Sequence, residues 1–202
     1  MEKNSTNEVL IMETVREMIK KLHLDNHIRS DDIPNIDLYM DQVIQLFETH
    51  LESSKRKEDE KVLTKTMVNN YAKGKLFFPI KNKKYSKEHI LLISLIYQLK
   101  GALSIHDIKI TLEQMNHKIV QENLDLVQVY NSYLFLTQQN MERFESSIEE
   151  SFKEVRKQAE NLDDPDKDYL QQFLLIASFV NMSNFYRRAA ERLVDQIANS
   201  KA

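Results

Sequence analysis

One short segment carries the residue types that are best suited to reading a hydrogen-bonding surface. A helix of 100° per residue over 65–73 places amide, hydroxyl and ammonium groups on one side and apolar side chains on the other. The polar side consists of Lys65, Thr66, Asn69, Asn70 and Lys73. It contains donors and cations and no carboxylate, so its chemistry suits an anionic partner that is rich in acceptors.

Double-stranded DNA is a partner of this kind. Asn pairs bidentately with adenine, Lys contacts guanine or phosphate, and the Thr methyl group meets thymine. A carboxylate on this face would be repelled by phosphate. The pattern therefore predicts base contacts from Lys65, Thr66, Asn69 and Asn70, and a phosphate contact from Lys73. For a helix taken alone, a solvated face with no ligand is the commoner explanation.

A second group of cations follows this segment. Residues 76–80 are apolar and aromatic and include Pro79, and the polar residues 81–84 come next. This order predicts a tight hairpin with Pro79 on an edge strand and a basic tip, which would grip sugar and phosphate without reading bases. The predicted phosphate contacts here are Lys75, Lys81, Lys83, Lys84 and Tyr85. For Tyr85, packing inside the hairpin is an equal alternative.

The charge distribution also favours this region as a nucleic-acid interface. The net charge of the chain is −3, which alone argues against a nucleic-acid partner. Residues 55–87, however, carry 11 basic and 3 acidic side chains, a net charge of +8. A concentrated basic patch attracts a polyanion even on an acidic protein.

Composition limits the other classes of protein. The 202 residues include 2 Gly, 3 Pro and no Cys, which favours a mostly helical fold and excludes thiolate chemistry. We find no signal peptide and no apolar run of ~20 residues that could span a bilayer, and we expect a cytoplasmic protein. Without a Gly-rich phosphate loop or a Ser/His/Asp set, we predict neither an enzyme nor a cofactor.

The remaining candidates for chemistry have simpler explanations. His23 and His27 are four residues apart, which suits metal ligands on a helix, but no third ligand has convincing spacing. The acidic residues from Asp163 to Asp168 lack the Gly of a calcium loop and are better explained as a capped linker. Arg187, Arg188 and Arg192 lie near aromatic residues, which leaves open an acidic effector.

Apolar periodicity and capping residues predict the helices. Thr64 and Ser86 are expected N-caps, and Gly74 is expected to end the helix before it in the left-handed conformation. The segment 88–100 is apolar on nearly all sides and is predicted to be central to the core. The predicted helices are 7–22, 36–51, 65–73, 88–100, 105–115, 120–161 and 165–200.

Several motifs resemble known families. The order of a recognition helix, a short hairpin, "KKYSKEHILLI" and "LSIHDIK" resembles the DNA-binding domain of MerR-type regulators. The matching residues are Tyr85, Ser86, Leu99, Lys100, Ser104, Ile105 and Ile108. More closely, "IPNIDLYMDQV", "LTKTMVNNYAK" and "KKYSKEH" resemble the bacterial family called domain of unknown function 1836, over residues 33–115. The MerR resemblance implies a winged helix-turn-helix that binds DNA.

Together these observations predict an all-α protein with a MerR-like winged helix-turn-helix, one hairpin and long C-terminal helices. The predicted regions are an N-terminal helix and connector (1–35), a DNA-binding domain (36–116) and a C-terminal region (117–202) for dimerisation or an effector. We expect a transcriptional regulator that binds double-stranded DNA as a homodimer. The alternative is a helical protein-interaction module with a degenerate DNA-binding fold. An unknown small-molecule or protein effector on the C-terminal helices stays open.

Overall fold

The structure is a computed structural model in which residue 13 and residues 16–200 are described. It is mostly helical, with one small antiparallel sheet and two long C-terminal helices, as the sequence predicts. Residues 16–21 are helical, and the rest of the predicted helix over 7–22 lies outside the described residues. The helices are α1 (Met40–Leu51), α2 (Lys65–Lys73), α3 (Lys87–Leu99), α4 (Ile105–Gln121), α5 (Leu126–Glu160) and α6 (Lys167–Asn199). The strands are β1 (Leu38–Tyr39) and β2 (Lys84–Tyr85).

Two compact units make up the described chain. One comprises residues 26–136 with 187 onward, and the other comprises the described part of 1–25 with 137–186. In the second unit, Ile148 and Ala159 of α5 are buried, and the rings of Phe152 and Phe179 lie 6.5 Å apart. The main hydrophobic core, which runs from Ile28 to Tyr130, belongs to the first unit.

Helix α3 is the centre of that core. Every residue from Ile90 to Ile96 is buried, as the apolar run predicts. Phe47 of α1, Val68 of α2 and Ile108 of α4 belong to the same core cluster and are fully shielded from solvent. Each fully buried aliphatic or aromatic side chain contributes about 1.5–3 kcal/mol, so this packing fixes the framework that carries the basic segment.

The predicted hairpin is confirmed in part: Lys81 and Lys84 form an antiparallel bridge across its turn, but the predicted edge strand is wrong. Residues 76–80 form no strand; instead β2 pairs antiparallel with β1, with Leu38 opposite Tyr85 and Tyr39 opposite Lys84. Pro79 has no N–H for a ladder, and the N–H of Leu76 already donates to Tyr71 O at 3.0 Å. The segment 38–39 is therefore a strand, and the helix predicted from residue 36 begins at Met40.

The helix predicted over 120–161 also begins later. Helix α4 extends to Gln121, and α5 starts at Leu126. Between them Asn123 has a left-handed φ of 52°, a conformation that Asn tolerates better than most residues. The Asp125 carboxylate then accepts the N–H of Gln128 at 3.1 Å, which caps the new helix. The apolar pattern does not reveal this break, because it contains neither Gly nor Pro.

Candidate nucleic-acid interface

Helix α2 forms over the residues that the sequence predicts. Thr64 is its N-cap, and its hydroxyl oxygen accepts the N–H of Met67 at 3.1 Å. Val68 and Tyr71 are buried and attach the apolar side to the core. The polar side is open to solvent; its exposed residues are Lys65, Thr66, Asn69, Asn70 and Lys73.

The C-terminal end of α2 differs from the prediction in one respect. Gly74 has a right-handed φ of −71°, and the left-handed residue is Lys75, with φ of 56°. The N–H of Lys75 donates to Ala72 O and that of Leu76 to Tyr71 O, both at 3.0 Å, which is the Schellman arrangement. Glycine is instead favoured at position 74 because there is little room for a side chain: a Cβ there would lie 3.2 Å from the backbone oxygen of Asn70.

Residues 81–84 form a tight turn. The N–H of Lys84 donates to Lys81 O at 2.9 Å, and both central residues have positive φ, 51° for Asn82 and 57° for Lys83. This is the type I′ geometry, in which Asn-Gly is the preferred central pair. Lys81 and Lys83 are exposed, whereas Lys84 is half-buried. The turn therefore presents two cations to solvent.

Tyr85 does not belong to this surface. Its side chain is 2% exposed, and its ring packs edge-on against Phe77 and His89 at centroid distances of 6.3 and 6.1 Å. Burial raises the pKa of its hydroxyl. The predicted phosphate contact from Tyr85 is corrected on this ground, and packing is its role.

His89 holds the segment in front of the turn. Its Nδ1 accepts the N–H of Ser86 at 3.1 Å, which leaves Nε2–H to donate to Phe78 O at 3.2 Å. Ser86 is the N-cap of α3, as predicted. Burial lowers the pKa of His89, so the neutral ring is favoured. Sequence reasoning missed this residue, although its place three residues after a capping Ser is the third position of a capping box.

Two residues at the start of α1 were also missed, and both contact predicted site residues. Asp41 Oδ1 lies 2.7 Å from Lys65 Nζ, and the Tyr39 ring centroid lies 5.1 Å from Lys84 Nζ. The segment 39–41 therefore borders both the N-terminus of α2 and the turn at 81–84. The ion pair places a carboxylate beside a face that contains none of its own.

Metal binding is not supported by the described part of the chain. Among these residues, no group of three or more His, Asp or Glu side chains is arranged to hold a metal ion. A surface groove of about 640 Å³ lies along the start of α5, with one carboxylate among amide, hydroxyl and apolar groups. Its lining residues are Asp125, Val127, Gln128, Asn131, Ser132, Phe135 and Leu136. In the described part of the chain, no helix has the length and apolar character needed to cross a membrane.

The structure is that of a mostly helical protein with a small sheet and exposed lysines on α2 and in the turn at 81–84. By its sequence, the chain belongs to the family described as Domain of unknown function (DUF1836), which matches residues 28–133. This confirms the family that the motifs predict. The matched region contains the core cluster from Ile28 to Tyr130 and the whole basic segment 55–87. No curated protein and no solved structure matches the chain at a significant level.

Proposed function

We propose that this protein is a sequence-specific DNA-binding transcriptional regulator, with a MerR-like winged helix-turn-helix in its middle region. In this proposal α2 enters the major groove, α1 braces it and the turn at 81–84 acts as the wing. The wing is built on the β1–β2 pair, because residues 76–80 form no strand. Base contacts come from Lys65, Thr66, Asn69 and Asn70. Phosphate contacts come from Lys73, Lys75, Lys81, Lys83 and Lys84.

One observation supports the proposal best. Lys75 and Lys83 both occupy left-handed backbone positions, at the end of α2 and in the turn, where Gly is the favoured residue. A non-Gly residue there costs roughly 1–2 kcal/mol. Both side chains are exposed and pack against no core, so the fold gains nothing evident from them. A cation at an exposed, strained position where Gly would be favoured supports a role for its charge.

The proposal includes a second copy of the chain, since a two-fold DNA site requires one. Helix α6 carries an apolar stripe in which Tyr169, Phe173, Ile176 and Val180 recur at four- and three-residue steps, each 55–64% exposed. At roughly 200 Å² for an aromatic side chain and less for Ile and Val, these four offer about 400 Å². That is half of the ~800 Å² that each partner buries in a standard interface, so the stripe suits the apolar centre of a dimer contact.

The test is a salt series of duplex binding with the full-length protein. Replacing Lys75, Lys81 and Lys83 together by Gln should weaken binding and flatten the slope of log K against log salt by about 0.9 for each phosphate that is no longer neutralised. The control variant replaces three exposed lysines elsewhere, Lys109, Lys153 and Lys157. Equal slopes for the two triple variants would refute the proposed interface.

The exposed stripe on α6 also favours the second candidate function, a helical protein-interaction module with a degenerate DNA-binding fold. A module of this kind would have no affinity for duplex DNA even at low salt. Binding of the wild-type protein to duplex DNA at about 50 mM salt therefore distinguishes the two candidates. Non-specific DNA affinity is strongest at low salt, because few cations compete with the protein for phosphate.

A further inference from the structure

Asp41 forms an ion pair with a residue of the proposed base-reading face. Its Oδ1 lies 2.7 Å from Nζ of Lys65, and the two side chains are 75% and 63% exposed. Asp41 lies in the first turn of α1, and Lys65 is the first residue of α2. The ion pair therefore ties the N-terminus of the proposed recognition helix to its bracing helix at the surface.

The start of α1 is itself held in place. Leu38 is buried and pairs with Tyr85 in the sheet, and the N–H of Tyr39 donates to Gln42 Oε1 at 2.8 Å. Tyr39 also receives Lys84 over its ring. The carboxylate of Asp41 thus projects from a fixed segment that contacts both a predicted base-reading lysine and a lysine of the turn.

We propose that Asp41 is a specificity-determining residue, which restrains Lys65 and penalises contact with phosphate that is not accompanied by the correct bases. This inference rests on the proposed function. Lys65 freed from Asp41 would bind phosphate at every sequence, whereas Lys65 restrained beside the base edges is useful only at the right one. Asp41 therefore lowers affinity for random DNA more than affinity for the preferred site.

The expected effect is modest, because exposed ion pairs are weak. Replacing Asp41 by Asn releases Lys65 to bind phosphate. Affinity for random-sequence duplex should rise roughly two- to fivefold, and the salt slope should steepen by about 0.9. Affinity for the preferred duplex should rise less, so the ratio of specific to non-specific affinity falls.

The experiment compares wild type, Asp41→Asn and Asp37→Asn in binding to random duplex and to the duplex enriched from a random pool. Asp37 is an exposed carboxylate in the same segment, and its replacement changes the net charge equally. A fourth and fifth protein, Lys65→Gln and Lys65→Gln with Asp41→Asn, close a double-mutant cycle. If Asp41 acts through Lys65, these last two have the same salt slope.

Three results would overturn the inference. In the first, Asp41→Asn has the same ratio of specific to non-specific affinity and the same salt slope as Asp37→Asn. In the second, Asp41→Asn changes the salt slope by the same amount whether residue 65 is Lys or Gln. Either leaves the proposed function standing if the wild type binds DNA with a sequence preference. The third is a wild type that binds no duplex, which removes the proposed function and this inference together.

Discussion

The hydroxyl of Tyr130 donates a hydrogen bond of 2.8 Å to the carbonyl oxygen of Ile28, 102 residues earlier in the chain. Both residues are buried, and burial raises the pKa of Tyr130 to about 12, so its hydroxyl stays protonated as a donor. Close by in sequence, Ser30 Oγ donates to Asn131 Oδ1 at 3.0 Å. These bonds tie together the two ends of the region that the family match spans, residues 28–133.

Replacing Tyr130 by Phe tests this closure. The change leaves the buried carbonyl of Ile28 without its donor, which costs about 1–3 kcal/mol of the free energy of unfolding. Urea denaturation followed by circular dichroism measures the decrease. Tyr39→Phe is the control, since the Tyr39 side chain is 55% exposed and its hydroxyl can bond to water. Equal midpoints for the two variants would show that the bond does not stabilise the fold.

The lowered pKa of the buried His89 predicts that the stability of the fold depends on pH. Its pKa in the folded chain lies below the ordinary value of 6.5 because it is buried. As the pH falls below 6.5, the unfolded chain takes up a proton at this residue before the folded chain does, so the free energy of unfolding decreases. The decrease ends once the pH has passed the lower pKa of the folded chain. Above about pH 6.5 this contribution is fully present.

Two variants isolate this effect from that of the other histidines. His89→Gln should reduce the difference in denaturation midpoint between pH 7.5 and pH 5.5, which lie about one unit either side of an ordinary histidine pKa. His106→Gln changes an exposed ring and should leave the difference as in the wild type. An undiminished pH dependence in His89→Gln would mean that other groups cause it.

Lys83 offers a substitution with opposite effects on stability and binding. Lys83→Gly relieves the left-handed backbone strain in the turn and should raise the free energy of unfolding by about 1 kcal/mol. It also removes a proposed phosphate contact, so affinity for duplex DNA should fall. Lys81→Gly at the first residue of the same turn is the control, expected to lower affinity without the gain in stability. Retained affinity in a stabilised Lys83→Gly protein would mean that the charge is not used.

The sequence predicted α2 because its signals are local. Thr64 supplies a cap, the apolar residues recur at helical spacing, and the structure begins and ends the helix at the predicted residues. The centre of the core was equally predictable. Residues 90–96 are apolar on nearly all sides of a helix, so no side of this segment is suited to contact with water. Exposure of the polar side of α2 followed from the same periodicity.

Several errors came from contacts between distant segments. Strand β2 pairs with Leu38–Tyr39, which are more than 40 residues earlier, and no local pattern shows such a partner. Tyr85 is buried by that pairing and by His89, so a tyrosine that looked like part of a basic tip became core. The Asp41–Lys65 ion pair also joins two helices and could not be found from the face of α2 alone.

The exposed apolar stripe on α6 predicts that the protein is a dimer. Ile176→Glu places a charge at the most exposed of its aliphatic residues and should shift the protein toward monomer, as measured by sedimentation equilibrium. Phe135→Glu is the control, because Phe135 is 65% exposed on α5, outside the stripe. A monomeric wild type, or equal dissociation in both variants, would show that the stripe is not the contact between copies.

Selection of duplexes from a random-sequence DNA pool tests the central claim most directly. The wild-type protein should enrich a site with two-fold related halves, and a variant with Asn69 and Asn70 both replaced by Ala should still bind DNA but show no preference at some positions of that site. Removing one bidentate pairing with a base reduces discrimination by about 1–3 kcal/mol. Failure of the wild type to enrich any sequence, or an identical site from the Asn69/Asn70 variant, would contradict the assignment of α2 as the helix that reads DNA.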